Sequence, residues 1–81
     1  VCDAILSRDF FQHLSVSDAA DALANMAKTG AKWLIATCHG QSGDDISTGG
    51  FRYVDMRAHL GAPIDAVEDG KHGRILGVWA L

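Results

Sequence analysis

The sequence predicts an α/β fold whose strands carry the polar residues of a site at their ends. Two short apolar runs, at 1–6 and 32–38, flank a segment at 16–29 whose apolar residues recur with helical spacing. Two further strand-like runs, at 64–67 and 74–81, follow a long glycine-rich segment. A strand, a helix and a strand with tight connections form a βαβ unit, in which both strands run parallel and the crossover is right-handed.

The composition fits one domain or a piece of one, because the chain has 81 residues. Its charged fraction of 21% is evenly spread, and no run approaches the roughly 20 apolar residues that span a bilayer. No signal peptide is visible, since Asp3 interrupts the first apolar run. The net charge of −3 and the scattered basic residues give no reason to expect nucleic acid as a partner.

Cysteine usage and length indicate the setting of the protein. Cys2 and Cys38 are too few for a small secreted disulfide scaffold, so we expect a cytoplasmic location. A chain this short buries only about 60% of its unfolded surface and is marginal on its own. The first residue is Val1 rather than methionine. We therefore expect either a truncated protein or an obligate oligomer.

The first three elements follow from local patterns. Residues 1–6 read VCDAIL, a nearly continuous apolar run typical of a strand covered on both faces. Ser15 with Asp18 approximates a capping box that opens the helix at 16–29, and Gly30 is a typical stop. Residues 32–38 read KWLIATC, a second short run rich in strand formers.

The second half of the chain is predicted with less regular structure. Residues 39–62 lack periodicity and contain five glycines, which indicates a loop with a short helix or edge strand around Phe51–Leu60. A loop this long is uncommon unless it is functional. The strands at 64–67 and 74–81 enclose Asp69-Gly70, a hairpin signal.

Several strings together resemble a known family. DAILSRDFFQHLS and TGAKWLIATCH, followed by GDDISTGGFRYVDM, GAPIDAVED and GRILGVWAL, resemble the C-terminal half of a class I, Rossmann-like S-adenosylmethionine-dependent methyltransferase. The resemblance is to a group with an Arg-Asp and Gln-His signature after its fourth strand, a DI-x-x-GG loop and a Leu-Gly-x-Trp ending. It covers essentially the whole chain and implies strands four to seven of the parent sheet, with the seventh antiparallel between the fifth and the sixth.

The resemblance implies methyl transfer from S-adenosylmethionine to an oxygen or nitrogen of an unidentified acceptor. The Gly-rich loop that holds this cofactor in the family has no counterpart here, since no GxGxxG motif occurs. We therefore expect the chain to be inactive alone, and whether it is itself an enzyme is left open. LSRD stands where the amino-methylating branch carries Asn/Asp-Pro-Pro-Tyr, which argues against DNA-amine methylation.

The segment after the first strand supplies the predicted catalytic and cofactor residues. Ligands of open α/β sheets bind beyond the carboxyl ends of parallel strands, where Ser7, Arg8 and Asp9 lie. We expect Ser7 and Arg8 to contact the cofactor, and Asp9 to orient His13 as a general base. The alternative is a local ion pair between Arg8 and Asp9, with His13 bonded to backbone groups at the helix entry.

Three later residues are predicted to bind substrate. His39 ends the second strand, and Asp45 and Arg52 lie in a segment that could fold over the crevice as a lid. An arginine there would clamp an anionic group of the substrate. The alternatives are a surface histidine and a flexible surface loop that Ile46 and Phe51 anchor in the core.

The sequence also bears on two other classes of protein, a metal-binding protein and a self-associating fragment. Cys38-His39, His59 and His72 match no zinc spacing, so no metal is expected. A non-catalytic fragment that self-associates is the alternative to the enzyme. Without a neighbouring first strand, the apolar strand 1–6 would be an open edge, and we expect a homodimer joined antiparallel through it.

Overall fold

The computed structural model describes residues 3–70 and 73–81. The predicted start of the first strand at 1–2 lies outside this range, as do Cys2 and His72. The elements are β1 (Ala4–Ser7), α1 (Val16–Lys28), β2 (Trp33–Cys38), α2 (Arg57–Leu60), β3 (Asp65–Glu68) and β4 (Ile75–Ala80), with a 3₁₀ turn at Phe11–His13 between β1 and α1.

The four strands form one mixed sheet in the order β1-β2-β4-β3. β1 and β2 are parallel, with Ile5 opposite Leu34, and β4 runs antiparallel to both of its neighbours. The predicted α/β class, the parallel pair and the antiparallel last strand are confirmed. Because β4 inserts between β2 and β3, the last two strands form a hairpin that reaches back to the centre of the sheet.

Helix α1 begins and ends at side-chain hydrogen bonds. The Ser15 hydroxyl accepts the Asp18 N–H at 3.1 Å, as the capping pattern predicts. At the other end, the Thr29 hydroxyl donates to the Met26 carbonyl at 2.7 Å. Gly30 then turns the chain with φ +82°, which a glycine adopts without strain. The helix therefore returns the chain directly to β2.

The core lies between α1 and one face of the sheet. Ala19 is fully buried on the helix, and Leu23 and Met26 pack against the same cluster. The largest fully buried side chains come from the sheet, the 3₁₀ turn and the segment before α2: Trp79, Phe11, Leu34, Met56, Val54 and Cys38.

The opposite face of the sheet carries apolar side chains without a covering layer among the described residues. Leu6 lies opposite Ile35 and Ile35 opposite Val78, so these three side chains share that face. Leu6 is 65% exposed, and Trp33, two positions before Ile35, is 40% exposed. The expectation that the first strand is covered on both faces is therefore wrong for this chain, since α1 packs on the other side.

The segment between β2 and β3 runs extended beside the end of β2. The His39 N–H donates to the Val54 carbonyl at 2.7 Å, and the Gly43 N–H to the Tyr53 carbonyl at 2.8 Å. Helix α2 falls inside the range where the sequence predicts a short element. Neither helix of the described residues has the length and apolar character that crossing a membrane requires.

Candidate functional site

The ends of the parallel strands β1 and β2 meet at one edge of the sheet. Ser7 lies opposite Ala36, and the Asp9 N–H donates to the Thr37 hydroxyl at 2.8 Å. Asp9 has φ +57°, a left-handed conformation that aspartate tolerates better than most residues. The structure therefore brings the residues after β1 beside those at the end of β2, as expected from the sequence.

A chain of ion pairs ties this edge to the β3–β4 hairpin. Arg8 donates two hydrogen bonds to Asp69, from Nε at 3.0 Å and from Nη2 at 2.8 Å. Arg74 lies 3.3 Å from Asp69 and 2.6 Å from Asp9. These bonds, above all those from Arg8, hold the pKa of the Asp69 carboxyl below its usual range. The alternative of a local Arg8–Asp9 pair is thus not formed, since each residue has a partner on the hairpin.

Gln12 lies between the two predicted catalytic residues. Its amide nitrogen donates to Asp9 Oδ1 at 3.2 Å and lies 3.5 Å from His13 Nε2. The expected direct contact between Asp9 and His13 is therefore replaced by a bridge. Gln12 is buried, and no pattern in the sequence indicates this.

His13 is oriented by a backbone carbonyl. Its Nδ1 lies 2.9 Å from the Gly50 oxygen, and a carbonyl can only accept. The hydrogen of the neutral ring therefore sits on Nδ1, and Nε2 keeps its lone pair. The side chain is exposed, but its Nε2 lone pair faces the Gln12 amide nitrogen at 3.5 Å, so Nε2 can accept a proton only when that contact opens.

In His39 the Nδ1 atom accepts a hydrogen bond, whereas in His13 it donates one. The His39 Nδ1 accepts the Val54 N–H at 3.0 Å, so the hydrogen of the neutral ring sits on Nε2. Burial lowers the pKa of His39, and the nearby Arg74 charge acts in the same direction. The imidazole is therefore neutral at neutral pH and acts as a hydrogen-bond donor through Nε2, not as a base.

Two aromatic rings join the imidazoles into one cluster. The Phe51 ring lies edge-on to His13 at 6.1 Å and to His39 at 6.2 Å between centroids. Tyr53 lies 5.1 Å from His39 and 5.5 Å from Phe51. We call His13, His39, Phe51 and Tyr53 the aromatic cluster. Such edge-to-face pairs are each worth about 0.5–1.5 kcal/mol beyond the area they bury.

An open cleft of about 450 Å³ lies beside this cluster and is lined by His39, Gly40, Gln41 and Tyr53. Small-molecule sites typically have volumes of about 300–1,000 Å³. The cleft begins where β2 ends, which is the edge of the sheet where ligands of α/β folds bind.

Asp45 and Arg52, the two loop residues predicted to bind substrate, lie against the start of α1. Asp45 Oδ1 accepts the N–H groups of Val16 and Ile46, both at 2.8 Å, which lowers the pKa of this carboxyl. Arg52 is 4% exposed and donates from Nε to the Leu14 carbonyl at 2.9 Å. Both residues hold the loop on the helix, and their role in substrate binding stays a prediction.

Sequence reasoning missed both aromatic side chains. The alternative in which Phe51 anchors the loop in the core is wrong, because the side chain is 52% exposed. The missed signal is a two-residue alternation: Arg52 and Val54 are buried, whereas Phe51 and Tyr53 point outward. This pattern is typical of an extended segment with one covered side.

The structure also bears on the state of Cys38 and on the expected absence of a metal site. Cys38 is a buried free thiol, its sulfur accepts the Met56 N–H at 3.3 Å, and burial raises its pKa. Within residues 3–70 and 73–81, no group of three or more His, Cys, Asp or Glu side chains could hold a metal ion. The expected lack of a metal stays a prediction, since Cys2 and His72 lie outside that range.

Comparisons with protein-family models, curated proteins and solved structures found no match to this chain. The functional proposals below therefore rest on the geometry of the cleft, the strand order and the sequence resemblance.

Proposed function

We propose that this chain is the C-terminal half of a class I S-adenosylmethionine-dependent methyltransferase, active only together with a cofactor-binding half. The observation that carries the proposal is the position of β4, which lies antiparallel between β2 and β3. In the family that the sequence resembles, the seventh strand lies between the fifth and the sixth in the same way. On this proposal β1 to β4 correspond to strands four to seven.

The open face of the sheet supports the same proposal. Sheets with parallel strands normally have both faces covered by helices. Here the face that carries Leu6, Trp33 and Ile35 lacks a layer among the described residues. The helices of a cofactor-binding half would cover this face, and a first strand would pair with β1.

The residues at the edge fit the cofactor in part. S-adenosylmethionine supplies an electrophilic methyl group on sulfur. Ser7 is the last residue of β1 and is buried, and it is not among the residues that line the cleft, so its proposed contact with the cofactor rests on its place at the strand end. Arg8 has Nε and Nη2 engaged by Asp69, so its proposed contact is left to Nη1. No metal is part of the proposal.

The proposed chemistry assigns different roles to the two imidazoles. His13 Nε2 takes the proton from the acceptor oxygen or nitrogen once the Gln12 amide, which lies 3.5 Å from it, has moved aside, and Asp9 accepts a hydrogen bond from that amide. His39 donates a hydrogen bond from Nε2 and holds the acceptor. Positioning for in-line displacement supplies most of the acceleration, and a positioned base adds about 10²–10⁴-fold.

We also propose a cytoplasmic location, supported by the free thiol of Cys38 in a chain with two cysteines. The acceptor remains unidentified.

Calorimetry with S-adenosylhomocysteine tests the proposal on two proteins: the 81-residue chain and a chain extended by the reading frame upstream of Val1. We expect heat of binding for the extended protein only, and a Gly-rich strand-loop-helix in the added segment. An upstream segment without that motif, or an extended protein that gives no heat, would contradict the proposal.

Self-association is the second candidate function, and the exposed edge favours it. β1 lies at the edge of the described sheet, and Leu6 on it is 65% exposed. We propose that a second copy pairs antiparallel along β1, giving a two-fold dimer with one continuous sheet. Light scattering at the monomer mass would count against this dimer. A dimer that dissociates when the upstream segment is added would show that both candidates use the same edge.

A further inference from the structure

We propose that the cleft beside His39 binds a neutral, planar aromatic molecule whose hydrogen-bond acceptor is held by the Nε2–H of His39. In the proposed methyltransferase this molecule is the methyl acceptor. Binding itself needs no cofactor, so the inference can be tested on the chain alone.

The donor is fixed by the backbone. The Val54 N–H occupies the His39 Nδ1 lone pair at 3.0 Å, which leaves the ring hydrogen on Nε2. Among residues 3–70 and 73–81, Nε2 has no hydrogen-bond partner, and it is not among the fully buried polar atoms without one. A ligand acceptor would therefore complete the hydrogen bonding of this ring.

The stacking surface comes from the aromatic cluster. Tyr53 lines the cleft and is 51% exposed, although it packs edge-on against His39 and Phe51. A half-exposed ring held by two neighbours is a rigid apolar surface, and planar ligands stack on such surfaces at a low cost in entropy. The cleft of about 450 Å³ has room for a two-ring molecule.

Two arginines near the cleft, Arg57 and Arg74, already have carboxylate partners. Arg57 forms hydrogen bonds to both oxygens of Asp55, at 2.8 Å and 2.9 Å, and donates to the Gly40 carbonyl at 3.1 Å. Arg74 contacts Asp9 at 2.6 Å and Asp69 at 3.3 Å through Nη2 alone, and its buried Nε has no partner among the described residues. From these two arginines a charged ligand would gain no unpaired opposite charge to offset the water it loses, which favours a neutral ligand.

Coumarin is the probe that matches this chemistry, since it is neutral and planar and has a carbonyl acceptor. Naphthalene has the same two-ring outline without an acceptor, and 2-naphthoate and 2-naphthylmethylammonium add a charge of either sign. We expect coumarin to shift the amide resonances of His39, Gly40 and Gln41, and to bind about 3- to 10-fold more tightly than naphthalene. The two charged probes should bind more weakly than coumarin.

Variants separate the donor from the stacking surface. His39→Asn keeps an acceptor for the Val54 N–H but removes the Nε2 donor, so coumarin should lose its advantage over naphthalene. Tyr53→Leu should weaken both probes. His59→Asn, at an exposed position on α2, makes the same exchange outside the cleft and should change neither affinity.

Several results would overturn the inference. They are no coumarin binding up to its solubility, shifts confined to residues away from the cleft, a charged probe that binds more tightly, or an unchanged preference for coumarin in His39→Asn. Amide mapping on the unmodified chain and the Tyr53→Leu variant keep the test decisive if His39→Asn does not fold. Failure of S-adenosylhomocysteine to bind the extended protein would leave these results unaffected.

Discussion

At the scale of single residues, the two histidines of the site differ because their Nδ1 atoms meet opposite backbone groups. His13 meets the Gly50 carbonyl, and His39 meets the Val54 N–H. A sequence shows that both positions are histidine but not which nitrogen holds the hydrogen. The difference between the two tautomers follows only from the folded backbone.

The tautomers are directly measurable. At about pH 8, where ordinary imidazoles are neutral, long-range ¹⁵N–¹H correlation should place the hydrogen of His13 on Nδ1 and that of His39 on Nε2. On acidification, the His39 ring should take up its proton below the ordinary value of 6.5, because burial lowers its pKa. Identical tautomers in the two rings would contradict the assigned roles.

The packing of Trp79 explains why a glycine stands in the Leu-Gly-x-Trp ending, at position 77. The Trp79 ring folds over Gly77, and a Cβ at position 77 would lie 2.5 Å from its nearest ring carbon. Trp79 is held there by burial and by its Nε1–H, which donates to the Gly61 carbonyl at 2.9 Å. The glycine is therefore required by the packing of the tryptophan.

We expect Gly77→Ala to lower the free energy of unfolding by about 1–3 kcal/mol, because overpacking displaces the indole. Urea unfolding measures the change. Gly40→Ala is the matched control, since a Cβ there would meet no atom within 4 Å. Equal stability of both variants would show that Trp79 does not pack against Gly77.

At the scale of elements, the loop at 45–52 behaves as a strap on the first turn of α1. Asp45 accepts the Val16 N–H, and the Thr48 hydroxyl accepts the Ser15 N–H at 3.0 Å. Gly49 donates from its backbone to the His13 carbonyl at 2.8 Å. These bonds satisfy backbone groups at the start of α1. They also place Phe51 between the imidazoles of His13 and His39, so the strap positions part of the candidate site.

The stability of these elements depends on pH through three carboxyl groups. Asp45, Asp55 and Asp69 each have a lowered pKa, caused mainly by the N–H groups of Val16 and Ile46, by Arg57 and by Arg8 respectively. The folded state therefore binds fewer protons than the unfolded state, and the stability these carboxyls contribute is present above the ordinary value of 3.8.

We expect this stability to be lost as the pH falls through the lowered folded-state values. Urea unfolding between about pH 5 and pH 2 measures the loss. Asp45→Asn keeps an oxygen acceptor for the helix but does not titrate, so its stability should fall less steeply with acid. An equally steep fall in this variant would remove Asp45 from the explanation.

Local signals explain which elements the sequence could predict. The helix predicted at 16–29 is Val16–Lys28, and the strand predicted at 32–38 is Trp33–Cys38, because capping and periodicity act over a few residues. The predicted hairpin strands are also within one residue at each end. The strap was not predictable, because its bonds join residues about 30 positions apart, as between Ser15 and Thr48.

The candidate site likewise has a part that local sequence patterns predict and a part that depends on distant contacts. The residues after β1 lie beside the end of β2 because the two strands are parallel, and the sequence predicted this neighbourhood. The partners of Arg8 and Asp9 lie on the β3–β4 hairpin, some 60 residues away in the chain, and no local pattern indicates them. The alternation at 51–54 groups Phe51 with Tyr53 but does not show that this side faces outward, since the long-range bonds of the strap to the start of α1 decide that.

At the scale of the whole molecule, one covered and one open sheet face indicate where a cofactor-binding half would dock. The two tryptophans report on the two faces: Trp33 is 40% exposed on the open face, and Trp79 is 1% exposed on the covered one. Docking of helices on the open face would bury Trp33. Pairing along the β1 edge, as in the proposed dimer, would leave that face open.

Acrylamide quenching of tryptophan fluorescence distinguishes these arrangements. In the 81-residue chain we expect one accessible and one protected tryptophan, whether it is monomeric or dimeric. In the chain extended upstream, both should be protected. If Trp33 stays accessible in the extended protein, the open face is not where the other half docks.

The central claim is that the cofactor binds where the ends of β1 and β2 meet. A cofactor titration that follows each residue separately tests it most directly. The measurement is two-dimensional NMR of the ¹⁵N-labelled, upstream-extended protein with excess S-adenosylhomocysteine. We predict that, within the 81 residues, the amide shifts concentrate at Ser7, Arg8, Asp9 and His39, where the ends of β1 and β2 meet. An unchanged spectrum, or shifts confined to the outer strand β3, would contradict a cofactor site at this edge.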